Sequence, residues 1–285
     1  MRGFDQAWTV AAVLVLCACG DSSEQAAGGA GGAGASSGGL GGSGGIGGAA
    51  AGGSGGATTG PCPDTFGPAM KKLPEGYCID TTEVTRSQYE GWLTTSPATG
   101  SQPASCSWND DFTPTSGWPP ASSPELPVVG VDWCDAWAFC DSAGKHLCGK
   151  LGGGASAYED YADPTSSQWF NGCTSGGVHD YTYGDAHDPE ACRGNDGDQW
   201  ASVDVGSLSD CQSPDSPYAG VFDLSGNVLE WEDSCDGDAG VGDHCRIRGG
   251  SFNYSGPGLR CDMGESLEFA RADRYVAVGF RCCAY

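Results

Sequence analysis

The sequence predicts an α/β fold, loop-rich, stapled by disulfides and built as a single domain, and three observations predict it. First, 16 cysteines occur, and all but Cys17 and Cys19 lie beyond an N-terminal export-type segment. An even number of cysteines after such a segment reads as a disulfide framework. Second, helical periodicity is confined to two short stretches, and strand-like runs are few and brief. Third, Gly, Pro, Ser and Asp punctuate the remainder so often that loops must dominate it.

The chain opens with residues 1–19, where Arg2 precedes an apolar run from Val10 to Leu16. This reads as an export signal, too short to cross a bilayer. It ends in Leu16-Cys17-Ala18-Cys19, which resembles a bacterial lipoprotein box and makes Cys19 the candidate for lipidation. An ordinary secretory signal cut nearby is the alternative. Residues 20–60 are almost wholly Gly, Ala, Ser and Thr, a composition that cannot bury enough apolar surface to offset its ordering entropy. Such a segment is a tether, and about 40 Gly-rich residues reach roughly 35 Å.

Residues 61–285 suffice for one domain with a sizeable core. A first helix is predicted after Thr85, with Tyr89, Trp92 and Leu93 at helical spacing and Ser96-Pro97 as its stop. A second follows Asp132 as N-cap, carries Trp133, Ala136, Trp137 and Cys140 on one stripe, and stops at Gly144. Strands are predicted at 128–131, 220–224, 245–248 and 275–282, each apolar or alternating and bounded by turn residues. Adjacent strand residues face opposite ways, so Cys282 and Cys283 should find partners on different sides. The loops 98–126 and 149–219 are long enough to need a function or a cross-link. Cys192 with Cys211 is the cross-link expected in the second of them, and Cys235 with Cys245 is a local pairing by proximity.

The net charge of −24 belongs mostly to the domain, because residues 1–60 hold three acidic residues and one basic, leaving 34 and 12. A surface this acidic repels phosphate backbones and argues against nucleic acid as a partner. The four histidines, His146, His179, His187 and His244, lack the spacings of a zinc finger or of one helical face, and no Cys-x-x-Cys occurs. Residues 61–285 also contain no Gly-x-Ser-x-Gly elbow, Walker loop or His-Glu-x-x-His sequence. Arg248, Arg260 and Arg281 are read as partners of buried carboxylates ahead of contacts for an anionic ligand.

Six phrases occur in one order: Gly76-Tyr-Cys-Ile-Asp-Thr-Thr-Glu-Val-Thr85, Pro127-Val-Val-Gly-Val-Asp-Trp133, Ala143-Gly-Lys-His-Leu147, Gly220-Val-Phe-Asp-Leu-Ser-Gly-Asn-Val-Leu-Glu-Trp231, Arg248-Gly-Gly-Ser-Phe252 and Gly279-Phe-Arg281. Together they resemble the sulfatase-modifying-factor, or formylglycine-generating-enzyme, domain. The resemblance implies a C-type-lectin-like fold with little regular secondary structure. It implies structural calcium held by Asp223, Glu230 and the carbonyls of Gly226 and Val228, hard oxygen donors of the kind calcium takes. It also implies bridges from Cys140 to Cys282 and from Cys173 to Cys261. The partners of Cys62, Cys78, Cys106, Cys134, Cys148 and Cys283 stay open.

The catalytic comparison runs the other way. Oxidase members of that family carry two thiols shortly after the Gly-Gly-Ser phrase, which bind copper(I) and engage the substrate cysteine. Here that stretch reads Phe252-Asn-Tyr-Ser-Gly-Pro-Gly-Leu-Arg260, with Tyr254 about where the first thiol would stand. A phenol does not replace a thiolate as a soft copper(I) ligand, so copper is not expected. The expected function is therefore a membrane-tethered extracytoplasmic module, non-catalytic, binding a carbohydrate, peptide or protein. Trp108, Phe112 and Trp118 in the first long loop are the candidate ligand contacts. The alternatives are an active formylglycine-generating oxidase drawing thiols from Cys106 or Cys283, and a passive envelope spacer.

Overall fold

A computed structural model describes residues 60–120, 123–197, 200–263 and 267–285. The export segment, Cys19 and the Gly-rich stretch up to residue 59 lie outside the described residues. Two four-stranded sheets organise the domain. The first takes β1 (Met70–Lys72), β2 (Cys78–Asp80), β8 (Cys282–Ala284) and β3 (His146–Leu147) in that order, all antiparallel. The second takes β6 (Glu268–Ala270), β5 (His244–Arg248), β4 (Leu229–Cys235) and β7 (Val278–Phe280), with only β4 and β7 parallel.

Both predicted helices form, and each is started by a side chain. In α1 (Arg86–Leu93) the Thr85 hydroxyl accepts from the Gln88 amide while the Gln88 side chain accepts from the Thr85 amide, a reciprocal cap. Tyr89 and Trp92 are its buried face. In α2 (Trp133–Ser142) Asp132 and Asp135 make the same exchange. Its end at Ala143 is followed by Gly144 in the left-handed region. The stripe of α2 is offset from the prediction: Phe139 is fully buried, while Trp137 stays half-exposed.

The strands differ more. Residues 128–131 join no ladder and bend at Gly130, φ 72°; the Val128 amide bonds the Val84 carbonyl, the Gly130 amide bonds the Tyr275 carbonyl and the Gly130 carbonyl accepts from the Thr115 amide. Residues 220–224 make one isolated bridge, from Gln212 to Phe222. The run 275–282 is cut in two, β7 lying in one sheet and β8 in the other, with Arg281 at the crossing. A helix inside the second long loop, α3 (Gln168–Cys173), was not predicted; it starts on Ser167, whose hydroxyl accepts from the Phe170 amide.

Seven disulfides take all the cysteines of the described domain: Cys62–Cys78, Cys106–Cys134, Cys140–Cys282, Cys148–Cys283, Cys173–Cys261, Cys192–Cys211 and Cys235–Cys245. The alternation of β8 sends Cys282 into the core around Trp231, Phe139 and Phe280, and Cys283 into the core around Tyr77, Ile79 and Trp169. So dense a framework belongs to an oxidising, non-cytoplasmic compartment. Among the described residues no helix is long and apolar enough to cross a membrane.

Candidate functional site

The Gly-Gly-Ser turn leaves β5 into a short 3-10 turn, Gly256–Leu259, that folds back over it. Gly250 sits at φ 71°, and a Cβ there would lie 2.2 Å from the Gly258 carbonyl oxygen, so only glycine lets the two segments meet. Between them lies Tyr254, half-buried, its amide on the Ser251 carbonyl at 2.8 Å and its carbonyl accepting from Asn195 at 2.8 Å. No thiol is available at this turn, because the nearest cysteine along it, Cys261, is bonded to Cys173 on α3. Cys106 and Cys283, the other conceivable thiol sources, are bonded to Cys134 and Cys148.

Carboxylates gather where the two sheets meet. Residues i and i+2 of a strand share a face, so Glu230 and Glu232 of β4 point the same way into the interior. Arg281 grips Glu230 with two parallel bonds, Nε to Oε2 at 2.7 Å and Nη2 to Oε1 at 2.6 Å, and Trp169 donates to Oε2 at 2.8 Å. The rest of the guanidinium is satisfied by the carbonyls of Asp80 and Phe222. Glu232 likewise accepts from Arg248 and from the Ser167 hydroxyl. Arg260 is forked onto Asp180 at 2.7 and 2.8 Å. Arg248 and Arg281 thus meet buried carboxylates as expected, whereas the Arg260 pair with Asp180 is part-exposed, at 31% and 45%, and departs from the expectation.

The donor set expected for calcium is present only in part. Glu230 spends both oxygens on Arg281 and Trp169, so it offers no open edge. Asp223 accepts from the Gly206 amide through Oδ2 and leaves Oδ1 buried without a partner. Glu83, which the sequence reading did not select, accepts from Asn227 through Oε1 and leaves Oε2 in the same condition. Burial pushes both carboxyls up, and for Glu83 the repulsion of Asp223 and Glu230 adds to it. Asp223 Oδ1 and Glu83 Oε2 are thus the carboxylate oxygens left buried without a partner among the described residues, and Glu230 is not one of them. Among the described residues no group of three or more His, Cys, Asp or Glu is placed to hold a metal.

The long-loop aromatics expected to contact a ligand pack against the first core, Phe112 buried and Trp108 and Trp118 part-exposed. Phe112 is buried against Trp92, Trp118 packs on Tyr89, and the Trp108 indole donates to the Ser105 carbonyl at 2.8 Å. They close over the first core, because burying a large ring in a loop is worth more than displaying it.

The sulfatase-modifying factor enzyme 1-like domain family matches residues 46–284. The chain belongs to that family. No curated protein matches the chain. Similar solved structures include CarF, at 20% identity over 73% of this chain and 85% of that one, with a TM-score of 0.48. PvdO from Pseudomonas aeruginosa is 20% identical over 77% of this chain and 90% of its own, with a TM-score of 0.46. Treponema denticola variable protein 1 is 18% identical over 73% and 84%, with a TM-score of 0.42. Within this sulfatase-modifying-factor-like frame, the phrases around Glu83, Glu230 and Arg281 are the ones that build the buried carboxylate cluster.

One carboxylate of β4 escapes pairing. Asp233 has no hydrogen bond or ion pair to its side chain among the described residues, and burial, with Glu232 adding repulsion, pushes it up from 3.8 to about 7. An acid whose folded-state pKa is raised stabilises the fold fully below its unfolded pKa and loses that contribution as pH rises through the folded one. Stability should therefore fall between about pH 4 and pH 7 by roughly 2–4 kcal/mol. Asp233→Asn should flatten that slope in urea unfolding curves; an unchanged slope would show that Asp233 is not its source.

Proposed function

We propose that the domain is a non-catalytic member of its family, exported, tethered through a lipid on Cys19, and serving as a binding or structural module. The observation that carries this reading is the state of the sulfurs: every cysteine of the described domain is in a bridge, and the stretch after Gly-Gly-Ser, with Tyr254 about where the family resemblance expects the first thiol, holds no cysteine before Cys261. A bridged sulfur is neither a soft metal ligand nor a nucleophile. Alkylation of the mature protein under denaturing, non-reducing conditions, followed by mass spectrometry, should find no labelled cysteine between residues 61 and 285. A cysteine-containing sulfatase peptide with copper and oxygen should yield no aldehyde. Two labelled thiols near residues 250–261, or aldehyde product, would return the oxidase to first place.

Structural calcium belongs to the same reading, held by the free oxygens of Asp223 and Glu83 with the carbonyls of Gly226 and Val228. Chelation should lower the melting temperature of the native protein by a few degrees and leave Asp223→Asn unmoved. Equal melting curves with and without chelator in the native protein would remove the ion. Glycan and peptide panels separate a binding module from a passive spacer.

A further inference from the structure

The end of β4 and the turn leading to β5 form one wall of a cleft whose other wall is α2. Its volume is about 370 Å³, and Trp133, Trp137, Asp233, Asp236, Asp238 and Arg271 line it. Three of these six are carboxylates. The single cation among them is already engaged: Arg271 stacks on the Trp133 ring at 4.4 Å, donates to the Gly237 carbonyl at 2.8 Å and pairs with Asp243 at 3.4 Å. Asp236 accepts from the His244 amide at 2.8 Å and has the His244 ring at 3.6 Å. Asp233, part-buried at the inner wall, accepts no hydrogen bond and makes no ion pair among the described residues, although Arg271 lies near enough to attract it. The half-exposed Trp137 also lines the cleft, and among the described residues no aromatic ring or cation stacks on its indole.

An unpartnered carboxylate in a concave, aromatic-walled site is complementary to a cation with an apolar body. The ammonium supplies the directly hydrogen-bonded counter-charge that Arg271, held by Gly237 and Asp243, does not, and the carbon chain lies on the indole. An anion meets repulsion from three carboxylates. A neutral polyol can donate to Asp233 but leaves its charge uncompensated in a poorly solvated wall. The net charge of −24 raises the local concentration of cations around the molecule. We propose that this cleft binds an aliphatic primary amine, with its ammonium group on Asp233 and its chain against Trp137. The inference rests on the binding-module reading and names a ligand class for it.

The test is calorimetric titration of the mature protein with cadaverine at pH 8.5, beside 1,5-pentanediol as the uncharged analogue of equal length. Cadaverine should bind saturably and the diol should not. Asp233→Asn should weaken cadaverine binding by about tenfold or more, the loss of a charged hydrogen bond. Asp238→Asn, at the exposed rim, should weaken it about threefold. Asp64→Asn, an exposed acid elsewhere, should leave it unchanged and so corrects for net charge. No saturation by about 10 mM, equal binding by the diol, or equal weakening by Asp64→Asn and the cleft variants overturns the proposal. Aldehyde product in the peptide assay overturns the non-catalytic reading instead, so the two failures are told apart.

Discussion

Removing Cys140–Cys282 and Cys148–Cys283 together costs the domain about 7 kcal/mol, more than the two removed singly. The two bridges close nearly the same loop, with sequence separations of 142 and 135 residues. While either remains, the long loop of the unfolded chain stays closed and only a ring of roughly ten residues is released. Each Cys→Ala pair alone should then cost about 2–3 kcal/mol, and the quadruple variant adds the closure of the long loop, worth about 5. The sulfurs sit in two different cores, so lost packing does not create this excess. Urea unfolding of the single-bridge and double-bridge variants measures it. Strict additivity would mean that the bridges act through native packing and not through the unfolded chain.

Arg281→Met costs roughly 3–5 kcal/mol, a fall of about 10–15 °C in melting temperature. Glu230 is 1% exposed, and without Arg281 its carboxylate keeps only the Trp169 indole as a donor. Two backbone carbonyls, of Asp80 and Phe222, lose their donors at the same time. The double variant Arg281→Met with Glu230→Gln should recover much of the loss, because it no longer buries an unpaired charge. A double variant as unstable as Arg281→Met alone would show that the guanidinium acts through its carbonyl contacts, not its charge.

How much of this was legible beforehand varies with the kind of signal. Thr85 and Asp132 announced α1 and α2 because a capping side chain and its helix lie within three residues of each other, a relation the chain carries locally. The strand β4 gave no such sign. Its sequence, Leu-Glu-Trp-Glu-Asp-Ser-Cys, puts two glutamates on the buried face, and an acid reads as solvent-facing until its arginine is known. Strands of two or three residues, such as β3 and β1, are too short to show a period. The aromatics Trp108, Phe112 and Trp118 were legible as large rings in a loop, but not as rings turned inward. Asp233 and Trp137 were ordinary members of their elements until the cleft brought them together.

By itself the sequence determined the class of this protein: the family phrases in order, the two capped helices, an even set of cysteines in the exported domain and the want of thiols after Gly-Gly-Ser. These follow from residue identity and short-range spacing, which a linear reading preserves. Only the tertiary structure decided that the run 275–282 breaks at Arg281 to serve two sheets, that Glu230 is spent on that arginine, and that Asp233 is left without a partner. The reason is that charge pairing in a buried site depends on distances of a few ångströms between residues such as Glu230 and Arg281, 51 positions apart in the chain.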